Sequence, residues 1–191
     1  MSPKILVFAG SIRTGSLSAK LAAIAAKEIA IADGDVTKIS LADYPLPLYD
    51  GDLEKAKGVP ENAQKLARLI AAQHGVFIAT PEYNHSLPPL LKNTIDWISR
   101  LSAGKHGIDY RHKVYAIGGT SDGHIGGARA LGDLRRVLAT AVGAIVVPGK
   151  IEVGRAQEAF DDAGEFIAEG PKKALKHLVH ELIDLSQRLA G

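Results

Sequence analysis

Short runs of apolar residues alternate along this chain with longer stretches in which apolar residues recur every three or four positions. Short apolar runs bounded by turn residues are typical of buried strands, and the longer period is that of an amphipathic helix. Strands are therefore predicted over 5–9, 36–41, 75–79, 114–118 and 144–147, and helices over 18–32, 60–73, 88–101, 125–141 and 172–190. This alternation predicts one α/β domain over 1–191, with a parallel sheet and helices on both of its faces.

Two segments follow neither pattern and are predicted to be irregular. They run from Asp43 to Val59 and from Pro148 to Pro171. The helix predicted over 88–101 is unusual in carrying an extra apolar strip, formed by Leu90, Trp97 and Leu101, beside its core-facing stripe. Such a strip is either the margin of the core or a surface for a partner chain, and the pattern leaves both possibilities open.

Composition narrows the class of protein. The 191 residues include no cysteine, which excludes disulfides and zinc–cysteine sites and favours a cytoplasmic location. The net charge is +2 with acidic and basic residues well mixed, so no nucleic-acid surface is expected. No apolar run approaches the roughly 20 residues of a membrane span, and the first strand begins too early to leave room for a signal sequence. No membrane association is expected.

The most informative loop is Thr80–Ser86, the second of three that follow predicted strands. It has the sequence Thr-Pro-Glu-Tyr-Asn-His-Ser and leads directly into a helix. In a parallel α/β sheet, ligands bind beyond the carboxyl ends of the strands. A proline, an aromatic ring and an amide in that position favour a flat ligand.

The first loop, Gly10–Ser18, follows the first strand and precedes an alanine-rich helix. Its serine hydroxyls and the positive end of the helix form a suitable phosphate site, and Arg13 adds a charge that suits a terminal phosphomonoester. A serine cap without any ligand remains an alternative. The loop matches neither the Walker pattern nor the dinucleotide Gly-x-Gly-x-x-Gly pattern.

The third loop, Gly118–Gly127, contains five glycines in ten residues, which leaves backbone groups free to contact the edge of a heteroaromatic ring. It also includes Gly119-Thr120-Ser121-Asp122-Gly123, a formal match to the nucleophile elbow of serine hydrolases. A hydrolase therefore remains an alternative, although the histidines later in the chain, His177 and His180, lie in a helical pattern typical of an exposed face.

With these three loops in place, the chain resembles the NADPH-dependent FMN reductase family, a flavodoxin-like group that includes bacterial chromate and quinone reductases and azoreductase-like enzymes. The resemblance is carried by Gly10–Ser16, by Pro81–Pro88 with Leu91–Trp97, and by Gly118–Gly127, within a match over 4 to about 147. It implies a doubly wound five-stranded parallel sheet in the order 2-1-3-4-5 and a tightly bound FMN.

The resemblance also implies three sets of cofactor contacts. The FMN phosphate would contact Ser11, Arg13, Ser16 and Ser18. The isoalloxazine would lie against Pro81, Glu82, Tyr83 and Asn84, and its pyrimidine edge would face Gly119, Thr120 and Ser121. Tyr83 and Arg100 are expected to contact the substrates, and no metal is expected.

In such an enzyme the flavin carries the chemistry, which agrees with the absence of an evident catalytic acid or base. NADH or NADPH would donate hydride to flavin N5, and a quinone, ferric chelate, chromate, azo compound or free flavin would then accept electrons in a ping-pong reaction. A homodimer or homotetramer is expected, with Trp97 at the interface and Arg100 near the flavin. A flavodoxin-type electron carrier is the other alternative, but such carriers are usually strongly acidic.

Overall fold

The computed structural model describes residues 2–101, 108 and 111–190. Its parallel sheet contains β1 (Lys4–Ala9), β2 (Asp35–Lys38), β3 (Gly75–Pro81), β4 (Val114–Thr120), β5 (Ile145–Val146) and β6 (Ile151–Val153). The described helices are α1 (Leu17–Ile31), α2 (Gly51–Lys57), α3 (Glu61–Ala71), α4 (Pro89–Ser99), α5 (Ala128–Val137) and α6 (Glu169–Ala190). The strand order is β2-β1-β3-β4-β5, with β6 also paired to β4. This confirms the predicted flavodoxin-like order and adds a short sixth strand.

Both faces of the sheet are covered. Along β1, Ile5 and Val7 pack into one core while Leu6 and Phe8 pack into the other, as the alternation of side chains along a strand requires. Helices α1 and α6 cover the first face, and α3, α4 and α5 cover the second. Strands buried on both faces need apolar residues at every position, which explains the continuous apolar runs in the sequence.

The far edge of β4 is shared by two short strands. β5 pairs with Val114 and Tyr115, and β6 pairs with the last three residues of β4. The interruption between them is stabilised by Arg135, whose guanidinium donates to the carbonyl oxygens of Val147 at 2.7 Å and Pro148 at 3.1 Å. The prediction that 148–171 is entirely irregular was wrong for β6, because a three-residue strand is too short to show alternation.

Helix α2 was also missed, since 43–59 was predicted to be irregular. None of its residues is buried, so it leaves no apolar period in the sequence. The residues at its two ends are instead typical helix caps. Asp50 accepts a hydrogen bond from the backbone N–H of Asp52 at 2.8 Å, and Gly58 ends the helix at a φ of 75°.

Several predicted boundaries also shift. β2 ends at Lys38 rather than at residue 41, and a 3₁₀ turn follows at Leu41–Asp43. The helix predicted over 125–141 begins at Ala128, and after α5 the chain continues as a π turn over Leu138–Val142. Among the described residues, no helix is long and apolar enough to cross a membrane.

The segment 45–50, here called the strap, lies against α4, and Asn93 makes two of the hydrogen bonds that hold it there. The side chain of Asn93 accepts from the backbone N–H of Tyr49 at 2.8 Å and donates to the carbonyl oxygen of Pro47 at 2.9 Å. A second hydrogen bond to Pro47 comes from the indole N–H of Trp97, at 2.8 Å. The family motif in α4 therefore fixes an otherwise irregular stretch of chain.

Trp97 is covered by its own chain. The side chains of Trp97 and Leu101 are fully buried. The ring of Tyr49 packs edge-on against the indole of Trp97, with 5.0 Å between the ring centroids. The expectation that Trp97 and Leu101 belong to a surface strip awaiting a partner was therefore wrong. The strap supplies the cover that the sequence pattern left unassigned.

Replacement of Asn93 by alanine tests this role. Asn93→Ala removes two hydrogen bonds from a half-buried position, so we expect the free energy of unfolding to fall by about 1–3 kcal/mol. Asn62→Ala is the matched control, because Asn62 makes one exposed hydrogen bond to the same strap, at the carbonyl oxygen of Pro45. Urea denaturation of both variants should show the larger loss for Asn93→Ala. Equal losses would mean that Asn93 does not hold the strap.

Candidate functional site

The three loops singled out in the sequence line one pocket of about 170 Å³ beyond the carboxyl ends of β1, β3 and β4. The expected cofactor residues that line it are Ser11, Arg13, Ser16, Ser18, Pro81, Glu82, Tyr83, Thr120 and Ser121. Leu17 and Asp122 also line it and were not singled out, although each is adjacent to a residue that was. The crevice lies between β1 and β3, where the strand order reverses, which is the usual ligand site of this topology.

The first loop leads into the amino end of α1. Ser16 caps that helix by accepting a hydrogen bond from the backbone N–H of Ala19 at 3.3 Å, and its hydroxyl lies 2.9 Å from that of Ser18. The capping role considered from the sequence is therefore confirmed. It does not exclude a ligand, because Ser16 and Ser18 also line the pocket and the positive end of α1 faces the same loop.

Arg13 is exposed at the pocket. Its side chain makes no hydrogen bond or ion pair within the described part of the chain, in contrast to the many surface cations that have a carboxylate partner. Its backbone N–H is held by the hydroxyl of Ser11 at 3.3 Å. A guanidinium without an internal counter-ion next to a helix amino terminus is suited to binding an anion.

The second loop closes in a two-residue turn. The backbone groups of Tyr83 and Ser86 exchange hydrogen bonds of 3.1 and 3.0 Å, while Asn84 and His85 take φ values of 49° and 66°. Positive φ at both central residues characterises a type I′ turn, and asparagine and histidine tolerate it better than most residues. The turn fixes Tyr83, whose side chain stays 44% exposed at the pocket. Asn84 does not line the pocket, and its contact with a flavin remains a prediction.

Glu82 connects the second loop to the helix that follows the third. Its carboxylate accepts hydrogen bonds from the backbone N–H groups of Arg129 at 3.0 Å and Ala130 at 3.1 Å, in the first turn of α5. The side chain is only 9% exposed. Nothing in the sequence indicated this contact of Glu82 with a helix that begins more than forty residues later.

A second contact joins the same two elements. The hydroxyl of Ser86 donates to the carboxylate of Asp133 in α5, with 2.6 Å between the oxygens. This hydrogen bond, aided by the nearby Arg136, holds the pKa of the Asp133 carboxyl below its ordinary value. The carboxylate therefore stays charged, and the bond stays formed, throughout the neutral range.

The third loop approaches the sheet closely at Gly119. A Cβ there would lie 2.6 Å from the carbonyl oxygen of Gly126, so only glycine fits. Gly119 does not line the pocket, and its contact with a flavin remains a prediction. The next residue, Thr120, does line the pocket, and its buried hydroxyl has no hydrogen-bond partner among the described residues. Such a buried hydroxyl is a candidate ligand contact.

Ser121 lacks the surroundings of a hydrolase nucleophile. Its hydroxyl donates to the carbonyl oxygen of Gly123 at 3.3 Å, and its backbone N–H donates to Val153 in β6 at 3.1 Å. The nearby His124 instead accepts a hydrogen bond from Arg155. A nucleophilic serine needs a base within hydrogen-bond reach, and the described residues place no imidazole there.

Arg100 is not brought to the pocket. It follows α4, so the helix rise of 1.5 Å per residue places it about 16 Å along the axis from the second loop. Its guanidinium binds the carboxylate of Glu54 in α2 at 2.9 Å. The hydrogen bond to Glu54 raises the pKa of Arg100 above its ordinary value. Within a single chain, Arg100 has a structural partner rather than a ligand.

Comparisons with known proteins agree with this geometry. A family model described as NADPH-dependent FMN reductase matches residues 3–158. A quinone reductase of Escherichia coli is 37% identical over 94% of this chain and 91% of its own length. A 2-hydroxy-1,4-benzoquinone reductase of a Burkholderia species is 34% identical over 92% of each chain. The solved structure of a flavoenzyme NAD(P)H:(acceptor) oxidoreductase from Paracoccus denitrificans matches with a TM-score of 0.76 and 31% identity, over 97% of this chain and 98% of that one.

The residues present fit an FMN. The phosphate requires positive charge and hydroxyl donors, which Arg13, the serines of the first loop and the amino end of α1 supply in the lining of the pocket. A flat heteroaromatic ring requires an aromatic or apolar wall with a few polar groups. Tyr83 and Pro81 provide the wall, and the unpartnered hydroxyl of Thr120 provides a polar group.

Substitution of Glu82 tests whether its carboxylate fixes the second loop. Glu82→Ala leaves two backbone N–H groups of α5 without their acceptor, so we expect a loss of about 1–3 kcal/mol in the free energy of unfolding. Glu82→Gln retains an acceptor oxygen and should lose less. Thermal or urea denaturation distinguishes the variants, with Glu61→Ala as an exposed control in α3. An unchanged stability in Glu82→Ala would contradict the capping role.

Proposed function

Because the chain belongs to the NADPH-dependent FMN reductase family, we propose that it is an FMN-dependent NAD(P)H:quinone oxidoreductase. Membership of the family makes it an enzyme that uses FMN and takes electrons from NADH or NADPH. The names of the quinone reductase relatives support a quinone as the acceptor. The observation that carries the proposal is the convergence of the three loops on one pocket. Its wall includes the guanidinium of Arg13 and the buried hydroxyl of Thr120, neither of which has a partner within the described part of the chain.

In this proposal the first loop holds the cofactor's phosphate. Arg13 supplies the positive charge, and the hydroxyls of Ser11, Ser16 and Ser18 supply donors. Ser16 already accepts a backbone N–H, which leaves its own hydroxyl proton for an anion or for Ser18. The amino end of α1 adds about half a positive charge. Together these groups match a phosphomonoester.

The second and third loops orient the ring. Pro81 and Tyr83 form its wall, and Glu82 makes that wall rigid through α5. Thr120 and Ser121 would face its polar edge beside Gly119, and Asn84 would lie against the ring on the side of Tyr83. When bound, FMN supplies a ring that takes hydride from a nicotinamide and passes electrons to an acceptor. The chain contributes binding, orientation and the exclusion of water from one side of the ring.

The two substrates would enter by the same open side of the pocket. Tyr83, exposed at that side, would contact the nicotinamide or the quinone. Use of one opening by both substrates in turn is the physical basis for proposing ping-pong kinetics. Ferric chelates, chromate, azo compounds and free flavin are the alternative acceptors to compare in the assay. A substrate role for Arg100 would require a second chain.

Exposed apolar residues around the pocket support a homodimer or homotetramer. Each loop contributes one large exposed side chain. These are Ile12, which is 55% exposed, Tyr83, which is 44% exposed, and Ile125, which is 48% exposed. A partner chain over these residues would cover the pocket without using Trp97. Light scattering that finds only a monomer at micromolar concentration would contradict this part. The proposal also places the enzyme, which has no cysteine, in the cytoplasm.

Steady-state kinetics test the proposed activity. Purified protein with FMN should oxidise NADH or NADPH when p-benzoquinone is present, with parallel lines in double-reciprocal plots at several quinone concentrations. Ser121→Ala should retain most of this activity, because Ser121 only borders the ring. Ester hydrolysis lost in Ser121→Ala, without any oxidation of NAD(P)H, would overturn the proposal in favour of a hydrolase.

Arg13→Ala tests the phosphate site. The change removes a charge-assisted contact worth about 1.5–3 kcal/mol, so the affinity for FMN should fall about tenfold or more. Arg188→Ala is the control, because Arg188 is an exposed cation on α6, paired with Asp184. Quenching of FMN fluorescence on titration with apoprotein measures both. Equal affinity in the two variants would place the phosphate elsewhere.

A further inference from the structure

A second polar pocket lies at the end of the strands opposite to the flavin site. It has a volume of about 340 Å³ and is lined by His74, Arg111, His112, Lys113, Ser186, Leu189 and Ala190. His74 precedes β3 and Lys113 precedes β4, so the pocket lies at the amino ends of these strands. At about 3.3 Å per residue, the length of β3 separates it from the flavin site by about 20 Å. The proposed oxidoreductase activity does not use it.

The lining of this pocket is basic. Three successive residues, Arg111, His112 and Lys113, all line it, and none of the lining residues that the structure describes is acidic. In an extended strand, successive side chains point to opposite sides, so three in a row require a turn. His112 supplies that turn with a φ of 61°, and its backbone N–H donates to the carbonyl oxygen of Gly143 at 3.0 Å. The backbone is therefore shaped so that consecutive basic side chains share one pocket.

His74 contributes a further donor. Its Nδ1 accepts a hydrogen bond from the backbone N–H of Lys4 at 2.9 Å. The proton of the neutral ring is consequently carried by Nε2. His74 can thus donate a hydrogen bond from Nε2 as a neutral ring.

Ser186 provides an independent indication of a ligand. It lines the pocket from α6, is 1% exposed, and its hydroxyl has no hydrogen-bond partner among the described residues. Buried hydroxyls without partners are rare, because losing water without a replacement destabilises the fold. A hydroxyl donor among cations suits an oxyanion.

Basic residues near a helix carboxyl terminus can also act by neutralising its dipole, and α6 ends at this pocket. The carboxyl end of the helix carries about half a negative charge, so the single positive charge of Lys113 is by itself more than enough to neutralise it. Dipole neutralisation also leaves the hydroxyl of Ser186 unexplained. We propose that this pocket binds a phosphate oxyanion, either inorganic phosphate or the phosphate group of a small phosphomonoester.

Calorimetric titration of the FMN-loaded protein with inorganic phosphate tests the proposal, because bound FMN keeps the first loop from competing. Chloride at matched ionic strength is the reference. Wild-type protein should show saturable binding of phosphate, and Lys113→Met should weaken it about tenfold or more, since a charge-assisted hydrogen bond is lost. Lys92→Met is the matched control, because Lys92 is an exposed cation on α4, paired with Asp96. Parallel titration with phenyl phosphate shows whether a phosphomonoester also fits.

Two further variants separate binding from folding. Ser186→Ala should weaken phosphate binding, yet its melting temperature in chloride should not fall, because the change removes an unsatisfied hydroxyl. His112→Asn tolerates the positive φ and should weaken phosphate binding without unfolding. NAD(P)H oxidation by Lys113→Met in phosphate-free buffer should equal that of wild type. Non-saturable heats in wild type, or equal affinity in Lys113→Met and Lys92→Met, would overturn the proposal.

Discussion

The parallel alignment of β1, β3 and β4 is the constraint on which the site depends. The ladder extends to the ends of these strands, where Gly10 donates to the carbonyl oxygen of Ala79 at 2.7 Å and Pro81 lies opposite Thr120. Each loop therefore leaves the sheet next to the others. Residues more than a hundred positions apart in sequence line one pocket because three buried strands are in register.

Two polar contacts then connect the second loop to α5. Glu82 accepts two backbone hydrogen bonds from its first turn, and Ser86 donates to Asp133 one turn further along. These groups are satisfied within the chain, whereas Arg13 and the hydroxyl of Thr120 have no partner among the residues that the structure describes. A site whose supporting contacts are already made, while two of its lining groups keep their hydrogen-bonding capacity, is organised before its ligand arrives. This contrast separates positioning residues from binding residues within the pocket.

The features that could be predicted from the sequence are those with a strong local signal. Strands buried on both faces appear as continuous apolar runs followed directly by the loop motifs, so the parallel sheet and the three pocket loops could be predicted. The strand order and most of the individual pocket residues came from the resemblance of those loops to the family. Helix α2 could not be predicted because it buries no residue, and strand β6 could not because it is only three residues long. The cover of Trp97 by the strap, the cap formed by Glu82 and the pairing of Arg100 with Glu54 are contacts between distant segments. No periodicity in the sequence encodes them.

The central claim is that the three loops form an FMN site, and the flavin content of the purified protein tests it most directly. The protein should show the absorbance of a bound flavin, and chromatography of the cofactor released by heat should identify FMN. Phosphate recognition by a single arginine and serine hydroxyls suits a terminal phosphomonoester, which FAD does not have. A colourless protein that cannot be reconstituted with FMN, or one that releases FAD, would contradict the account.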